Sequence, residues 1–408
     1  MPSSIRKALN ELPITLDDTY ERILQNIPKQ KWQHAHRLFQ CMVAAIRPLR
    51  VEELAEIFAI EVSQNAAPNL VEDWRPVDSE EAVLSACSTL ITIIDHWGSK
   101  IVQFSHFSVK EYLTSDRLQS SDVGNISRFY IPLEPAHTVL ARACLTVLLQ
   151  LEERVEEERL ATFPLASYAA QNWFDHAKFK NVASQIQDAM EDLFDPMKPH
   201  FQAWVWVHDV DRLYKQSMGN INECLSRPLY YAALIGFGGI AKHLIITHGQ
   251  DVNEKVYGDM TPLHAASRMG HVDVAHVLLD YGANIDAQDF ADQTPLCWSF
   301  WRGHLNVVRL LVERGANVNI RTDYSAPLHD AVRIGSLEFV RLLLDHGADA
   351  RIPRGIGGLT PFQLATRQGN HDIAQLLLDH GAVIEEEGRS VNTELMYCKF
   401  VSRTRSWK

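Results

Sequence analysis

Histidine is the residue type whose placement in this sequence first suggests chemistry. His264 and His329 each follow a Pro-Leu pair, and on a simple count of ligand types they are candidate metal ligands, because imidazole binds metal ions well. The six cysteines, which could complete a zinc site, are scattered along the chain without a Cys-x-x-Cys pair. Cysteine-based zinc sites need ligands at short spacing, so the sequence predicts no metal centre.

Motifs typical of catalysis are also missing from the sequence. There is no Gly-x-Ser-x-Gly, no His-Glu-x-x-His and no glycine-rich dinucleotide loop, and no spacing groups Ser, His and Asp. No Gly-Lys pair occurs, so the phosphate-binding loop of a nucleotide hydrolase is absent. The sequence therefore predicts a protein that is not an enzyme and needs no cofactor. An unrecognised activity within residues 119–221 is the alternative.

Composition excludes several other classes of protein. The chain has 408 residues, 46% of them hydrophobic and 22% charged, which is the range of a globular protein with two or three domains. The six cysteines are too sparse for a secreted disulfide scaffold, and the first residues lack the apolar stretch of a signal peptide. No apolar run approaches the ~20 residues of a membrane span. We expect a soluble protein of the cytoplasm, with the nucleus as the alternative compartment.

A repeat of about 33 residues organises the carboxyl-terminal half. Two markers, a proline and a glycine that is followed by alanine in the last four units, keep the same spacing of 32 to 34 residues over five units. The prolines are Pro228, Pro262, Pro295, Pro327 and Pro361, and the glycines are Gly249, Gly282, Gly315, Gly347 and Gly381. Such a period predicts a solenoid of stacked units, because one unit cannot bury its own apolar face.

The unit that begins at Thr261 predicts a pair of helices. Thr261 can cap the first helix, and Pro262 suits its first position because the missing N–H would be unpaired there anyway. Gly270 should end this helix, and Gly282 should end the second. This unit, with Thr-Pro-Leu-His-Ala-Ala followed by Gly-His and Val-Leu-Leu-Asp-Tyr-Gly-Ala, resembles the ankyrin repeat. The resemblance covers about residues 222–388 and implies that His264 and His329 tie neighbouring loops by hydrogen bonds instead of binding metal.

The resemblance also implies where a partner would bind, on the hairpin tips and the concave face of the first helices. An arginine recurs there on four successive units, and aromatic residues accompany it in the middle units. Arginine suits carboxylate or phosphate groups, so we expect an acidic protein partner, although arginine placed for solubility would give the same pattern. Trp298 and Phe300 are predicted to repack the core. The predicted partner-binding residues are Tyr257, Met260, Arg268, Met269, Phe290, Gln293, Trp301, Arg302, Arg333, Ile334 and Arg367.

Residues 1–118 predict helices that are followed by one β-hairpin. Apolar residues recur at helical spacing from Leu16 and from Ala35, a third helix follows Val51 and a fourth covers about Ser79 to Thr89. Alternating strands then surround the turn at His96–Lys100. Helices followed by a hairpin indicate a winged helix. Many winged helices bind DNA, but residues 1–225 hold 21 basic and 31 acidic residues, so we expect no DNA binding.

Five segments in the first 177 residues resemble the sequences of a known family. Residues 12–24, 47–60 and 102–115 are similar to the winged helix that follows the NACHT module in fungal NLR-like signalling NTPases, and residues 137–151 and 163–177 are similar to the helical linker after it. The resemblance implies a winged-helix domain at 1–118, a helical linker domain at 119–221, five ankyrin-like repeats at 222–388 and a tail at 389–408, without the NACHT module.

The family resemblance also singles out His106, which matches a histidine that can touch the nucleotide phosphate. Here we expect either a structural residue at the start of a helix or a role with a NACHT module supplied in trans. The predicted fold is therefore mainly α, with one β-hairpin. The predicted function is that of an adaptor or scaffold that binds a protein through the ankyrin groove. The alternative is a regulatory fragment of an NLR-like signalling NTPase.

Overall fold

The structure, a computed structural model, describes residues 15–61, 69–122, 125–152, 157–211, 227–321, 326–353 and 358–383. The chain separates into two compact units, residues 1–211 and 212–408. The predicted boundary at 221/222 and the tail at 389–408 lie outside the described residues. Within the described ranges, no helix is long and apolar enough to cross a membrane.

The first part of the amino-terminal unit is built from short capped helices. Thr15 and Asp18 cap the first helix by exchanging hydrogen bonds between side chain and backbone, each 3.1 Å. Its helices are α1 Leu16–Gln25, α2 Trp32–Ala44, α3 Val51–Phe58, α4 Ser79–Cys87, α5 Phe107–Leu113 and α6 Asp116–Gln119.

Arg50 stands at the N-cap of helix α3, where a serine or threonine would usually cap the helix. Instead, the carboxylate of Glu53 accepts a hydrogen bond from the Arg50 backbone N–H at 2.8 Å. The same carboxylate binds the guanidinium groups of Arg47 and Arg50 at 2.7 and 2.9 Å, although the Glu53 side chain is fully buried. Burial alone would raise the pKa of Glu53, but hydrogen bonds from Arg47 and Arg50 outweigh it and lower that pKa.

Two small antiparallel ladders lie in the described part of this unit, where the sequence predicted one hairpin. The predicted hairpin pairs β3 Ile91–His96 with β4 Ser99–Phe104, so each strand reaches closer to the turn than expected and only Trp97 and Gly98 remain between them. The additional ladder pairs β1 Ile60–Glu61 with β2 Asn69–Leu70. Strands of two residues carry too little alternation to be read from a sequence.

The hairpin packs on the helices as the wing of a winged helix. The Val102 N–H donates to the Leu49 carbonyl at 2.9 Å, and Arg50 forms a bridge with Ile101, so the segment before α3 runs along β4. Val102 and Leu90 are buried with the apolar faces of α2 and α3. The predicted winged-helix architecture is therefore present.

Helices of a second layer complete the amino-terminal unit. They are α7 Leu133–Leu148, α8 Glu157–Leu160, α9 Ala166–Ala177, α10 Val182–Gln185, α11 Gln187–Phe194 and α12 His200–Val207. Trp204 lies at their centre, 5.6 Å from the ring of Trp173 and 5.7 Å from that of Phe194. Its indole N–H donates to the Ala170 carbonyl at 2.9 Å. Trp204 therefore packs inside the linker helices themselves, while Trp206 is half exposed.

The described part of the carboxyl-terminal unit contains five successive helix pairs. Each predicted proline is the first residue of a first helix. The first helices are α13 Pro228–Ile235, α15 Pro262–Met269, α17 Pro295–Arg302, α19 Pro327–Ile334 and α21 Pro361–Arg367. The second helices are α14 Gly238–His248, α16 Val272–Asp280, α18 Leu305–Glu313, α20 Leu337–Asp345 and α22 His371–Asp379. Stacking buries the apolar faces that one pair could not cover alone.

Polar side chains in the loops fasten each repeat to the backbone of the next one. Asn253 accepts from the Asn284 N–H at 2.7 Å, and Asp286 accepts from the Asn317 N–H at 2.9 Å. Asn319 continues the series by accepting from the Asp349 N–H at 2.8 Å. These bonds satisfy backbone groups that would otherwise be unpaired in the loops.

Candidate functional site

Threonine, proline and glycine fix the two ends of a first helix. The Thr261 hydroxyl accepts from the backbone N–H of His264, and Pro262 occupies the first helical position. Gly270 ends the helix with a φ of +81°, a left-handed conformation that costs glycine little. The residues just before this glycine therefore stand at a fixed end of the helix, and the predicted partner residues are found there.

The two candidate metal-ligand histidines are structural. His264 is fully buried; its Nδ1 faces the Thr261 hydroxyl at 2.8 Å and its Nε2 donates to the Gln293 carbonyl at 3.0 Å. Burial lowers the pKa of His264 to about 4, so the ring is neutral at pH 7. His329 likewise donates to the Leu359 carbonyl at 3.0 Å. No group of three metal-ligand side chains occurs among the residues that the structure describes.

Four predicted partner residues are buried and cannot form a contact surface. Met260 is fully buried, and its carbonyl accepts from the Val256 N–H at 2.9 Å, which folds the loop inward. Gln293 closes a tight loop by accepting from the Asp289 N–H at 3.0 Å and donating to the Asp289 carboxylate at 2.9 Å. The other two are Tyr257 and Arg268.

Tyr257 and Arg268 are buried by contacts with neighbouring repeats. The Tyr257 hydroxyl lies 3.3 Å from that of Tyr230. Arg268 is 4% exposed, and its backbone carbonyl accepts from His304 in the next repeat at 3.0 Å. The assignment of these four residues to an exposed surface is therefore wrong.

The remaining predicted residues reach solvent at the carboxyl ends of the first helices and at one hairpin. Met269 is 47% exposed, Ile334 is 40% exposed and Phe290 is 56% exposed. Arg302 and Arg367 are exposed, while Trp301 and Arg333 are partly exposed. We name the set at the helix ends the first-helix row; it consists of Met269, Trp301, Arg302, Arg333, Ile334 and Arg367.

Aromatic packing holds the middle of this row. The Trp301 ring stands edge-on to Trp298, with 5.4 Å between the centroids. Trp298 is buried and donates its indole N–H to the Asp289 carboxylate at 2.9 Å. Phe300 is buried as well and contacts Phe339 edge-on. The prediction that Trp298 and Phe300 repack the core is confirmed, and Trp301 rests on a rigid base.

Phe290 occupies the hairpin that precedes the third repeat. Its backbone N–H donates to the Gly258 carbonyl at 3.0 Å, and its ring lies against Gly258, where an added Cβ would come within 3.3 Å. The ring is thus fixed on one side and open to solvent on the other.

Charge is divided between the two helices of a pair. The five first helices carry four arginines and one aspartate, and that aspartate, Asp330, is buried 3.5 Å from Arg333. The five second helices carry three basic and seven acidic residues. The first-helix row is therefore locally basic on a chain whose net charge is −12.

His106 caps α5 at the base of the wing. Its Nδ1 accepts from the Ser108 N–H at 3.3 Å and lies 2.6 Å from the Ser108 hydroxyl, which in turn contacts the Tyr20 hydroxyl at 2.8 Å. The ring is exposed and lies against Phe107, with 4.4 Å between centroids. The predicted position at a helix start is confirmed; a nucleotide-sensing role stays a prediction.

Sequence reasoning missed a buried polar chain in the linker helices. The Ile46 N–H donates to the Tyr168 hydroxyl at 3.2 Å, and that hydroxyl lies 2.9 Å from His176 Nε2. His137 completes the chain. No spacing could have revealed it, because these hydrogen bonds join residues up to 130 positions apart in three different segments.

Comparison with known proteins agrees with this architecture. Residues 20–123 match the family described as GPI inositol-deacylase, winged helix domain. Residues 210–289, 229–322 and 321–387 match the family described as ankyrin repeats (3 copies).

One relative is fungal. The chain is similar to azaphilone pigments biosynthesis cluster protein L of Monascus ruber, with 31% identity over 287 residues, which are 64% of this chain and 58% of that protein. The chain thus spans somewhat more than half the length of this relative. A fungal NLR-like identity stays a prediction. Ankyrin repeats and, before them, a winged helix domain of the GPI-inositol-deacylase type are present in this chain.

Proposed function

We propose that this protein is a non-enzymatic adaptor or scaffold that binds an acidic protein partner through the first-helix row. The observation that carries the proposal is the first-helix row itself, in which arginines and apolar side chains stand together at the ends of stacked helices. The compartment we propose is the cytoplasm, with the nucleus as the alternative.

Rigid presentation supports the proposal. Trp301 stands on buried Trp298, and the helix that carries both is capped by Thr294 and ended by Gly303. Side chains that are already ordered lose little entropy on binding, so their contacts contribute more to affinity. Tryptophan and arginine are also the residues that most often dominate the binding energy of protein interfaces.

Charge supports an acidic partner. The first-helix row carries three arginines, and the one aspartate of the first helices is buried, whereas the second helices carry more acidic than basic residues. An acidic segment would be attracted to the first-helix row and repelled by the second helices, so the charges would select its orientation. Because exposed charges are screened by salt, binding should weaken as ionic strength rises.

The proposal is tested by comparing two exposed arginines. Arg302→Ala, alone and with Trp301→Ala, removes side chains from the first-helix row, whereas Arg341→Ala removes an exposed arginine from a second helix. Proteins retained from a fungal extract on immobilised wild type and on each variant would be quantified by mass spectrometry. We expect one acidic protein to be lost at least fivefold from the row variants and kept by Arg341→Ala.

Equal retention on all variants would reject the first-helix row as the binding surface. Thermal unfolding of each variant serves as the folding control, since a shifted midpoint would mean that the substitution disturbs the stack. Turnover of a nucleotide or metabolite by the purified chain would reject the non-enzymatic role.

A second candidate is a regulatory fragment that acts on a signalling NTPase with a NACHT module in trans. The exposed His106 at the start of α5, within a winged helix of matching type, favours it. Its test is the ATPase rate of a separately purified NACHT module with and without this chain. A change that His106→Ala abolishes would support the candidate, and an unchanged rate would reject it.

A further inference from the structure

A ring from the following repeat covers the glycine that ends a first helix at two successive junctions. His271 lies on Gly236 and His304 lies on Gly270, so close that an added Cβ would come within 2.6 and 2.5 Å of the rings. Each ring also donates from Nε2 to the carbonyl two residues before that glycine, Leu234 at 3.1 Å and Arg268 at 3.0 Å. The ring therefore fills a space and satisfies a carbonyl at the end of a helix.

The junction between the fourth and fifth repeats uses amides for the same purpose. The Asn370 amide lies 3.5 Å from the Cβ position of Gly335. Gln368 donates from Nε2 to the Arg333 carbonyl at 3.3 Å. Three junctions in the described repeats thus place a planar N–H donor from the next repeat over the end of a first helix.

The junction between the third and fourth repeats is different. Ser336 stands where the other repeats have His271, His304 or Asn370, and a serine has no planar N–H group to offer. Its hydroxyl instead accepts from the Phe339 N–H at 3.4 Å and caps the next helix. Among the described residues, no atom lies within 4 Å of the Cβ position of Gly303.

A space that elsewhere holds an imidazole is therefore open beside Gly303. We name it the Gly303 slot; it lies over Gly303 next to Ser336. Trp301 and Arg302 directly precede this glycine, so the slot is part of the first-helix row and belongs to the middle repeat. Anchor residues of interfaces tend to lie near the centre in well-packed recesses.

We propose that the Gly303 slot receives a planar N–H donor side chain, a histidine, from an acidic segment of a protein partner. The chemistry is that of His271 and His304 at the two preceding junctions, where imidazole fits both the space over a glycine and the carbonyl beside it. The Trp301 carbonyl is the equivalent acceptor, and an oxygen of this kind has two lone pairs. Arg302 and Arg333 favour acidic residues around the inserted histidine. This inference rests on the proposed function.

Two synthetic peptides and one variant test the slot. The probes are the acetylated and amidated pentapeptide Glu-Glu-His-Glu-Glu and its counterpart with alanine in place of histidine. For the wild type we expect the histidine peptide to bind about tenfold more tightly than the alanine peptide, and the Gly303 amide signal to shift in NMR spectra. Ser336→His fills the slot from within the chain and should abolish this tenfold preference.

Asn370→His is the matched control, because it places the same ring on a glycine that already has a donor. It should leave the tenfold preference intact. Ser336→Asn, which introduces the side chain found at position 370, gives a second way to fill the slot if Ser336→His does not fold.

The outcomes separate the slot from the binding surface. The slot is overturned if the two peptides bind the wild type equally, if neither binds, or if Ser336→His and Ser336→Asn keep the preference. In those cases the first-helix row stands as long as Arg302→Ala still weakens binding of the acidic protein. The slot is supported if the Ser336 variants lose the preference for the histidine peptide and Asn370→His keeps it.

Discussion

The Nδ1 atoms of His137 and His176 lie 2.9 Å apart inside the linker helices. One of these nitrogens must donate and the other must accept, so the pair is stable only while at least one ring is neutral. The Tyr168 hydroxyl holds His176 from the other side, and Phe179 stacks on His137 with 4.2 Å between the ring centroids. Acid should therefore break this contact.

We predict that acidification destabilises the amino-terminal unit. Burial lowers the pKa of His176 to about 3, whereas in the unfolded chain it would be near 6.5. Between these two pKa values only the unfolded chain binds the proton. The free energy of unfolding therefore decreases progressively as pH falls from about 6.5 to about 3, by up to about 1.4 kcal/mol per pH unit. Hydrogen exchange of the Ile46 amide, which donates to Tyr168, should accelerate at pH 5 beyond the intrinsic pH effect. His176→Gln cannot titrate and should flatten this dependence; an identical profile would contradict the assignment.

Two glycines with the same backbone conformation should respond differently to alanine. Gly270 and Gly303 have φ of +81° and +76°, so Gly270→Ala and Gly303→Ala share the strain of a left-handed alanine, about 1 kcal/mol. Only at Gly270 would the new Cβ meet a ring, that of His304 at 2.5 Å. We expect Gly270→Ala to cost at least about 1 kcal/mol more, measured by urea unfolding. Equal losses would mean that the His304 ring moves aside freely.

The buried carboxylate of Glu53 should be essential to the winged helix. Glu53→Ala leaves the guanidinium groups of Arg47 and Arg50 without their shared partner and removes the cap of α3, for an expected loss of about 3 kcal/mol or more. Chemical unfolding followed by circular dichroism measures this loss. Glu52→Ala, an exposed glutamate one position earlier, is the control and should change stability by less than about 0.5 kcal/mol. Similar losses in the two variants would disprove the role of Glu53.

The turn of the wing should become more stable when its tryptophan is replaced by asparagine. Trp97 is 94% exposed and has a φ of +55°, followed by Gly98 at +78°. Two successive positive φ values favour Asn-Gly at a hairpin turn. We expect Trp97→Asn to raise stability by roughly 0.5–1 kcal/mol and Trp97→Val to lower it, since a β-branched residue tolerates positive φ poorly. The thermal midpoint is the measurement, and a lower midpoint for Trp97→Asn would refute this explanation.

The helices of the repeats could be predicted from the sequence because their signals are local. Pro262, Thr261 and Gly270 act within one helix, and each stands where its chemistry predicted. The wing was predicted for the same reason, although its strands reach closer to the turn than expected. The ladder between Ile60–Glu61 and Asn69–Leu70 was missed because two residues give no period.

The binding surface could be predicted only in part, because exposure depends on neighbours that the sequence does not reveal. Arg268 and Arg302 hold nearly the same position in successive repeats, yet Arg268 is buried and Arg302 is exposed. Met260 and Gln293 lie in loops that fold inward through backbone hydrogen bonds. The open space at Gly303 became visible only when equivalent glycines could be compared in three dimensions.

The side chains of Asn253, Asp286 and Asn319 each accept a hydrogen bond from a backbone N–H of the following repeat. Every residue except proline carries that N–H group, so these hydrogen bonds between repeats form whatever side chain the following repeat has at that position. A unit could be duplicated, deleted or given new surface residues while its predecessor held it just as firmly. The same fastening that makes the stack stiff thus leaves it free to change what it recognises.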